Sequence, residues 1–230
     1  MSKTNKNVLG DQRGKIGKVV GRVVEGEQMY SAYSGGGKNP RTPKQVAHRS
    51  RFAAAVAMGK AMKGVLNVGL RDMAARRKLC SAYNVFVNVN MSRISYDEEH
   101  GAAVVDYASV VVSDGDVPTV TFGNAVFTEP LKVTVSYSSA EEAGAYDDDS
   151  VYVAVYAPAL GRCMMGIGTR AGGTVSVTLP QRWAGEVVHI WGFAKTKVDV
   201  PTPIEAYGIK MMPNECSRSE YIGSGTIETE

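Results

Sequence analysis

The hydrophobic period of the chain changes near residue 102, and this change constrains the fold more than any other feature. Upstream of it, apolar residues recur at steps of three and four, which is typical of helices with one buried face. Downstream of it, apolar and polar residues alternate in short runs, which is typical of strands. The order of the two patterns predicts an α+β protein in which the helices come before the main sheets.

Seven strand-like runs follow, and turn signals such as Gly172-Gly173 separate them. Their number and spacing predict an antiparallel, immunoglobulin-like β-sandwich. In the sixth run, one strand face carries Val187, His189, Trp191 and Phe193, so Trp191 is expected to anchor the core. The seven runs are residues 104–112, 119–127, 131–137, 151–156, 174–179, 187–193 and 207–211.

The first part of the chain predicts a β-hairpin and then two helices. Residues 15–34 carry β-branched residues on both sides of a turn at Gly26, which predicts the hairpin. A helix is then expected to begin with Thr42 as N-cap, Pro43 at the first helical position and Gln45 completing a capping box. A second helix is predicted from about Leu70 to Phe86. The buried stripe of the first helix is expected to consist of Phe52, Val56, Gly59, Met62 and Leu66.

Charge is sorted along the chain. Residues 1–95 contain 18 Lys and Arg against 4 Asp and Glu, whereas residues 96–230 contain 8 against 19, although the net formal charge is only +3. We therefore expect a basic hairpin and helical docking region over residues 1–100 and an acidic β-sandwich domain over residues 101–230. This asymmetry favours an anionic partner for the first part, or head-to-tail contact between copies of the protein.

The basic surface of the predicted helices is the best candidate for a functional site. Its cations could contact the phosphates of a nucleic acid, in a salt-dependent and sequence-independent way. They could equally contact an acidic face of another copy, or form only a solvated helix face. Few aromatic residues lie among them, so stacking on bases is poorly supported. The candidate docking or anion-binding residues are Arg41, Lys44, Arg49, Arg51, Lys60, Lys63, Arg76, Arg77 and Lys78.

No motif indicates catalysis, and we expect a protein that is not an enzyme and takes no cofactor or metal ion. Gly35-Gly36-Gly37-Lys38 lacks the upstream glycine and the following Ser or Thr of a phosphate-binding loop. Asp147-Asp148-Asp149 lacks the ligand spacing of a calcium loop and is expected to be a solvated acidic turn. Cys80, Cys163 and Cys216 show no disulfide or metal-ligand spacing, which favours free thiols.

The sequence shows neither a signal peptide nor a membrane-spanning segment. Its first residues are basic, but no apolar stretch follows them. We therefore expect a protein that is made in the cytoplasm, has no membrane partner, and leaves the cell only by lysis or as part of a particle.

A hairpin, a helix opening of the form N-P-R-T-x-x-Q-x-x-x-R-x-x-F and a β-sandwich follow one another in this chain. In this combination it resembles a family of uncharacterised proteins common in gut bacteria and in their phages and prophages. The resemblance implies a non-enzymatic structural protein, present in many copies in a virion, whose partners are other copies or other virion proteins. Two alternatives stay open: a nucleic-acid-associated protein, and a sandwich that binds a host surface or glycan. The residues that carry the resemblance are Asn39, Pro40, Arg41, Thr42, Gln45, Arg49 and Phe52.

Overall fold

The computed structural model describes residues 2–4, 11–24, 26–35, 41–76, 81–197, 204–206, 209–211 and 215–228. Its contacts divide the chain into two compact units, Met1–Thr42 and Pro43–Glu230. Residue 100, where the sequence predicts a domain boundary, lies inside the second unit, because helices and strands share a core there.

The first unit is a four-stranded antiparallel sheet. Its strands are β1 (Ser2–Thr4), β2 (Gly14–Ile16), β3 (Val19–Val24) and β4 (Glu27–Ala32). They lie in the order β1-β4-β3-β2, and the predicted hairpin is the pair β3 and β4. A polar side chain fills its centre: Gln28 accepts a hydrogen bond from the Gln12 backbone N–H and donates one to the Gln12 carbonyl, each of 2.8 Å.

The second unit begins with a helical layer. Its helices are α1 (Pro43–Ala61), α2 (Lys63–Gly69), α3 (Arg71–Arg76) and α4 (Ala82–Asn90). The predicted start of α1 at Pro43 is confirmed, but the single helix predicted from about Leu70 to Phe86 is replaced by two helices, α3 and α4. The Ser81 hydroxyl explains the new helix start, because it accepts a hydrogen bond of 3.2 Å from the Asn84 N–H and so caps α4. In the described ranges, no helix is both long and apolar enough to span a membrane.

A short hairpin of β5 (Ile94–Asp97) and β6 (Ala102–Val105) follows the helices. The predicted strand over residues 104–112 is therefore wrong beyond Val105, where a 3₁₀ turn and an irregular segment take over. A buried side chain holds that segment: Asn90 donates to the Val111 carbonyl (2.9 Å) and accepts from the Val111 N–H (2.8 Å). The Asn90 side-chain amide thus makes the two backbone hydrogen bonds that a neighbouring strand would make if residues 104–112 formed the predicted strand.

Two antiparallel sheets that pack face to face complete the second unit. Their strands are β7 (Thr121–Glu129), β8 (Lys132–Ser138), β9 (Ser150–Ala157), β10 (Arg162–Thr169), β11 (Thr174–Thr178), β12 (Val187–Lys195) and β15 (Glu220–Thr226), beside a small separate pair, β13 (Ile204–Ala206) and β14 (Ile209–Met211). The central sheet has the order β10-β9-β12-β15 and the outer sheet the order β11-β8-β7. The predicted α+β fold with an antiparallel sandwich is confirmed.

Strand β12 shows how the central sheet serves two cores. Trp191 and Phe193 pack against the helical layer, whereas Val188 and Ile190 pack between the two sheets. Trp191 is fully buried, as the sequence predicts, but it anchors the helix-facing core. The core of the sandwich contains the other tryptophan, Trp183. The second unit therefore has three layers: helices, central sheet and outer sheet.

Candidate docking groove

Helices α1 and α4 form the walls of an open groove with a volume of about 380 Å³. The two helices come close at Gly59, where a Cβ atom would lie 3.0 Å from a Phe86 ring carbon and 3.1 Å from a Tyr83 ring carbon. Gly59 therefore permits the close approach, and the groove opens beside it. The residues that line the groove are His48, Phe52, Val56, Tyr83, Asn84, Val87, Asn88 and Met91.

The α1 wall of the groove is part of a row of residues spaced four apart. Residues at i and i+4 are neighbours on the surface of a helix, so the row forms a ridge, although each step turns it by about 40° around the axis. Lys44 and Lys60, at its two ends, therefore lie on nearly opposite sides of α1. The three middle residues of the row are a histidine, a phenylalanine and a valine, and the residue at each end is an exposed lysine. The row consists of Lys44, His48, Phe52, Val56 and Lys60.

Phe52 is 49% exposed, and the prediction that it belongs to the buried stripe of α1 is wrong. The residues of α1 that are fully buried are Ala55, Met58 and Gly59, so Phe52 comes before the helix enters the core. A half-exposed aromatic side chain on an apolar groove marks a surface suited to an interaction. In the sequence, only the lysines at the same four-residue spacing indicate that Phe52 belongs to an exposed row of α1.

Two arginines close the C-terminal end of α4, next to the groove. The Arg51 guanidinium donates a hydrogen bond of 2.7 Å to the Met91 carbonyl, and the Arg93 guanidinium donates to the Val89 carbonyl. The last carbonyls of a helix have no partner within the helix, and cations there interact favourably with the helix dipole. Arg51, which the sequence predicts as a docking residue, therefore has a structural contact that fixes the end of α4.

The other predicted docking residues do not all gather at the groove. Those exposed on α1, α2 and α3 are Lys44, Arg49, Lys60, Lys63 and Arg76, of which Lys44 and Lys60 belong to the ridge. Arg41 and the predicted cap residue Thr42 belong to the first unit, whereas Pro43 and Gln45 lie in the first turn of α1. Arg77, Lys78 and Cys80 lie outside the described residues.

His189 is the centre of a second polar cluster, on the helix-facing side of β12. Its ring stacks on Tyr107, with 3.7 Å between ring centroids, and its Nδ1 shares a hydrogen bond of 2.9 Å with the Tyr221 hydroxyl. Burial lowers the pKa of His189, and it raises the pKa of Cys163, on β10, to about 12. Near neutral pH the thiol therefore stays protonated and is a poor nucleophile. The stacked rings and the hydrogen bond join β12 to Tyr107 and to Tyr221 on β15.

The segment between β8 and β9, residues 139–149, contains the acidic turn and is called the acidic loop. Asp147 and Asp148 are exposed, but the prediction of a solvated turn is wrong for Asp149, which is fully buried. Its carboxylate accepts a hydrogen bond of 3.1 Å from the buried Arg170 guanidinium, as a buried charge requires. Within the ranges that the structure describes, no three His, Cys, Asp or Glu side chains group in a way that could hold a metal ion.

Comparisons with known proteins place the chain in one family. No curated protein and no solved structure matches it. The sequence profile of a family of unknown function, DUF6266, matches residues 11–200, a range that includes α1, α4 and the acidic loop. Because this match spans well over half of the chain, the protein belongs to this family of unknown function.

Proposed function

We propose that this protein is a non-enzymatic assembly protein whose α1–α4 groove docks another protein molecule, including further copies of itself. The observation that carries the proposal is Phe52, which is half exposed on an apolar groove whose helix α1 also carries the exposed lysines Lys44 and Lys60. We propose a phage virion as the particle, because the family resemblance suggests that setting. The protein would be present there in many copies.

Phe52 and the two lysines would contribute to docking in different ways. Binding free energy at protein interfaces concentrates in a few aromatic or arginine side chains that fill pockets. Exposed ion pairs contribute only about 0–1 kcal/mol each, but their field steers the approach of a partner of opposite charge. We therefore expect Phe52 to provide affinity, and Lys44 and Lys60 to make the association rate depend on salt.

Sedimentation velocity of the purified chain over a wide range of concentrations tests the proposal. The wild type should self-associate, and Phe52→Ala should weaken this association by about tenfold or more. Val46→Ala is the matched control, because Val46 is 39% exposed on the same helix but lies outside the groove lining. A wild type that stays monomeric throughout, or equal effects of the two substitutions, would contradict the proposal.

Binding to a nucleic-acid backbone is a second candidate function, which the exposed cations Lys44, Lys60 and Lys63 favour. In that case log affinity for random duplex DNA should fall with log salt concentration, with a slope of about −0.9 for each phosphate contacted. Lys60→Glu should then weaken DNA binding, and Phe52→Ala should leave it unchanged. Self-association that depends on Phe52, together with weak binding to DNA, favours the docking function instead.

A further inference from the structure

The acidic loop presents one exposed aromatic side chain among carboxylates. Tyr146 is 49% exposed, and its neighbours Asp147 and Asp148 are exposed as well. Glu141 and Glu142, near the start of the same loop, are also exposed. An aromatic side chain surrounded by charges of one sign is complementary to an apolar site bordered by charges of the other sign.

A buried ion pair holds the backbone of this loop in place. The Asp149 carboxylate accepts a hydrogen bond of 3.1 Å from the Tyr146 N–H. Its partner Arg170 donates to the Ser139 hydroxyl at 3.0 Å and to the Pro118 carbonyl at 2.7 Å. The loop is thus fixed near both ends while the Tyr146 side chain stays in solvent. A loop that is already ordered loses little conformational entropy when it binds.

The α1–α4 groove has the features that this loop requires. Its volume of about 380 Å³ leaves room for an aromatic side chain beside Phe52. The amide of Asn84 belongs to its lining and can pair with a phenolic hydroxyl. Lys44 and Lys60 each lie eight residues from Phe52 on α1, about 12 Å along the helix axis, so they would act on the carboxylates that flank the tyrosine through their positive field rather than by direct contact.

No residue of the acidic loop lines the groove of its own chain, and Phe52 and Tyr146 are each 49% exposed. We propose that the acidic loop of one copy docks into the α1–α4 groove of a second copy, with Tyr146 against Phe52 and the loop carboxylates in the positive field of the α1 lysines. This inference rests on the proposed function and names the partner of the groove. The contact is heterologous, so it can continue from copy to copy as a ring or an open array.

A pair of complementary variants tests the inference. Phe52→Ala removes the groove contact and keeps the loop, whereas Tyr146→Ala removes the loop contact and keeps the groove. Each variant alone should be monomeric at concentrations where the wild type forms large assemblies. An equimolar mixture should form a dimer and nothing larger, because the pair has one intact groove facing one intact loop. Sedimentation velocity distinguishes these species directly.

A charge exchange provides a second test that does not depend on truncating an aromatic side chain. Lys44→Glu with Lys60→Glu should weaken assembly about tenfold or more at low salt. Asp147→Lys with Asp148→Lys should do the same, and mixing the two double variants should restore the contact between them. Lys63→Glu with Arg71→Glu is the control of equal charge, because these exposed residues lie on α2 and α3 outside the ridge.

The outcomes separate the inference from the proposed function. If Phe52→Ala abolishes assembly while Tyr146→Ala and the loop charge reversal leave it unchanged, the groove docks a protein but the acidic loop is not its occupant. If the mixed variants form no dimer although each melts at the wild-type temperature, the head-to-tail contact is refuted. If the wild type is monomeric at every concentration, both the inference and the proposed function fail.

Discussion

Replacing Gly69 with alanine would place a methyl group where the helical layer meets the segment after β6. A Cβ atom at Gly69 would clash with the Val112 carbonyl oxygen and would lie 2.8 Å from the Ser113 Cβ. The same substitution at Gly64, in the same helix α2, would meet no atom within 4 Å. The two glycines therefore form a matched pair with the same chemistry, one in a crowded site and one in open space.

The two effects can be estimated separately. Alanine is more favourable than glycine within a helix by about 1 kcal/mol, so Gly64→Ala should stabilise the protein by up to that amount. Overpacking a filled site costs about 1–3 kcal/mol. Because the crowding atom at Gly69 is backbone rather than a flexible side-chain end, we expect a net destabilisation of about 1–2 kcal/mol there, after the helical gain.

Urea unfolding followed by tryptophan fluorescence measures both effects. Trp183 and Trp191 are fully buried and both belong to the second unit, so the signal reports on the unit that contains α2. The midpoint should rise for Gly64→Ala and fall for Gly69→Ala, with an unchanged dependence on urea. A Gly69→Ala variant as stable as Gly64→Ala would refute the close packing of α2 against residues 112–113.

Two further predictions concern charge. Asp149→Ala leaves the buried Arg170 without its carboxylate and should lower the free energy of unfolding by about 3–5 kcal/mol. The control is Asp148→Ala at the exposed neighbour, which should change the free energy of unfolding by less than about 0.5 kcal/mol. Urea unfolding measures both. Burial lowers the pKa of His189 below its ordinary 6.5, so the folded state resists protonation and stability should fall as the pH drops below 6.5 towards the folded pKa. His189→Gln should reduce the loss of melting temperature between pH 7.5 and pH 5.5; an equal loss in both proteins would show that the imidazole does not titrate in this way.

Two of the longer strands that the sequence misses, β10 and β15, carry two glycines each. Strand β10 has the sequence RCMMGIGT, in which Gly166 and Gly168 lower the strand propensity. In the fold these glycines are required, because a Cβ atom at either position would lie 2.7 Å from a methyl group of Val175 on β11. The requirement for glycine at these positions comes from contacts between residues on different strands, so it produces no periodic signal in the sequence.

The groove between α1 and α4 could not be predicted from the sequence. Helical spacing places Lys44 and Lys60 on different sides of α1, and the same spacing assigns Phe52 to the core. Its exposure depends on where the helix enters the core, and that is set by the close approach of α4 at Gly59. In the same way, the sequence does not distinguish Asp149 from the exposed Asp147 and Asp148, because its ion pair with Arg170 forms only in the folded protein.

The position of the exposed cations in the second unit limits the symmetry of any self-contact. In the second unit the exposed cations Lys44, Lys60 and Lys63 lie on the helical layer, whereas the acidic loop connects strands of the two packed sheets. A two-fold symmetric contact through the groove would bring the lysine-bearing ridge of each copy against the same ridge of the other, and like charges across an interface are unfavourable. A head-to-tail contact instead pairs the ridge with carboxylates. Salt should therefore weaken the assembly by screening attraction, whereas a symmetric contact between ridges would be strengthened by salt. The sign of the salt effect on the sedimentation of the wild type distinguishes the two arrangements without any substitution.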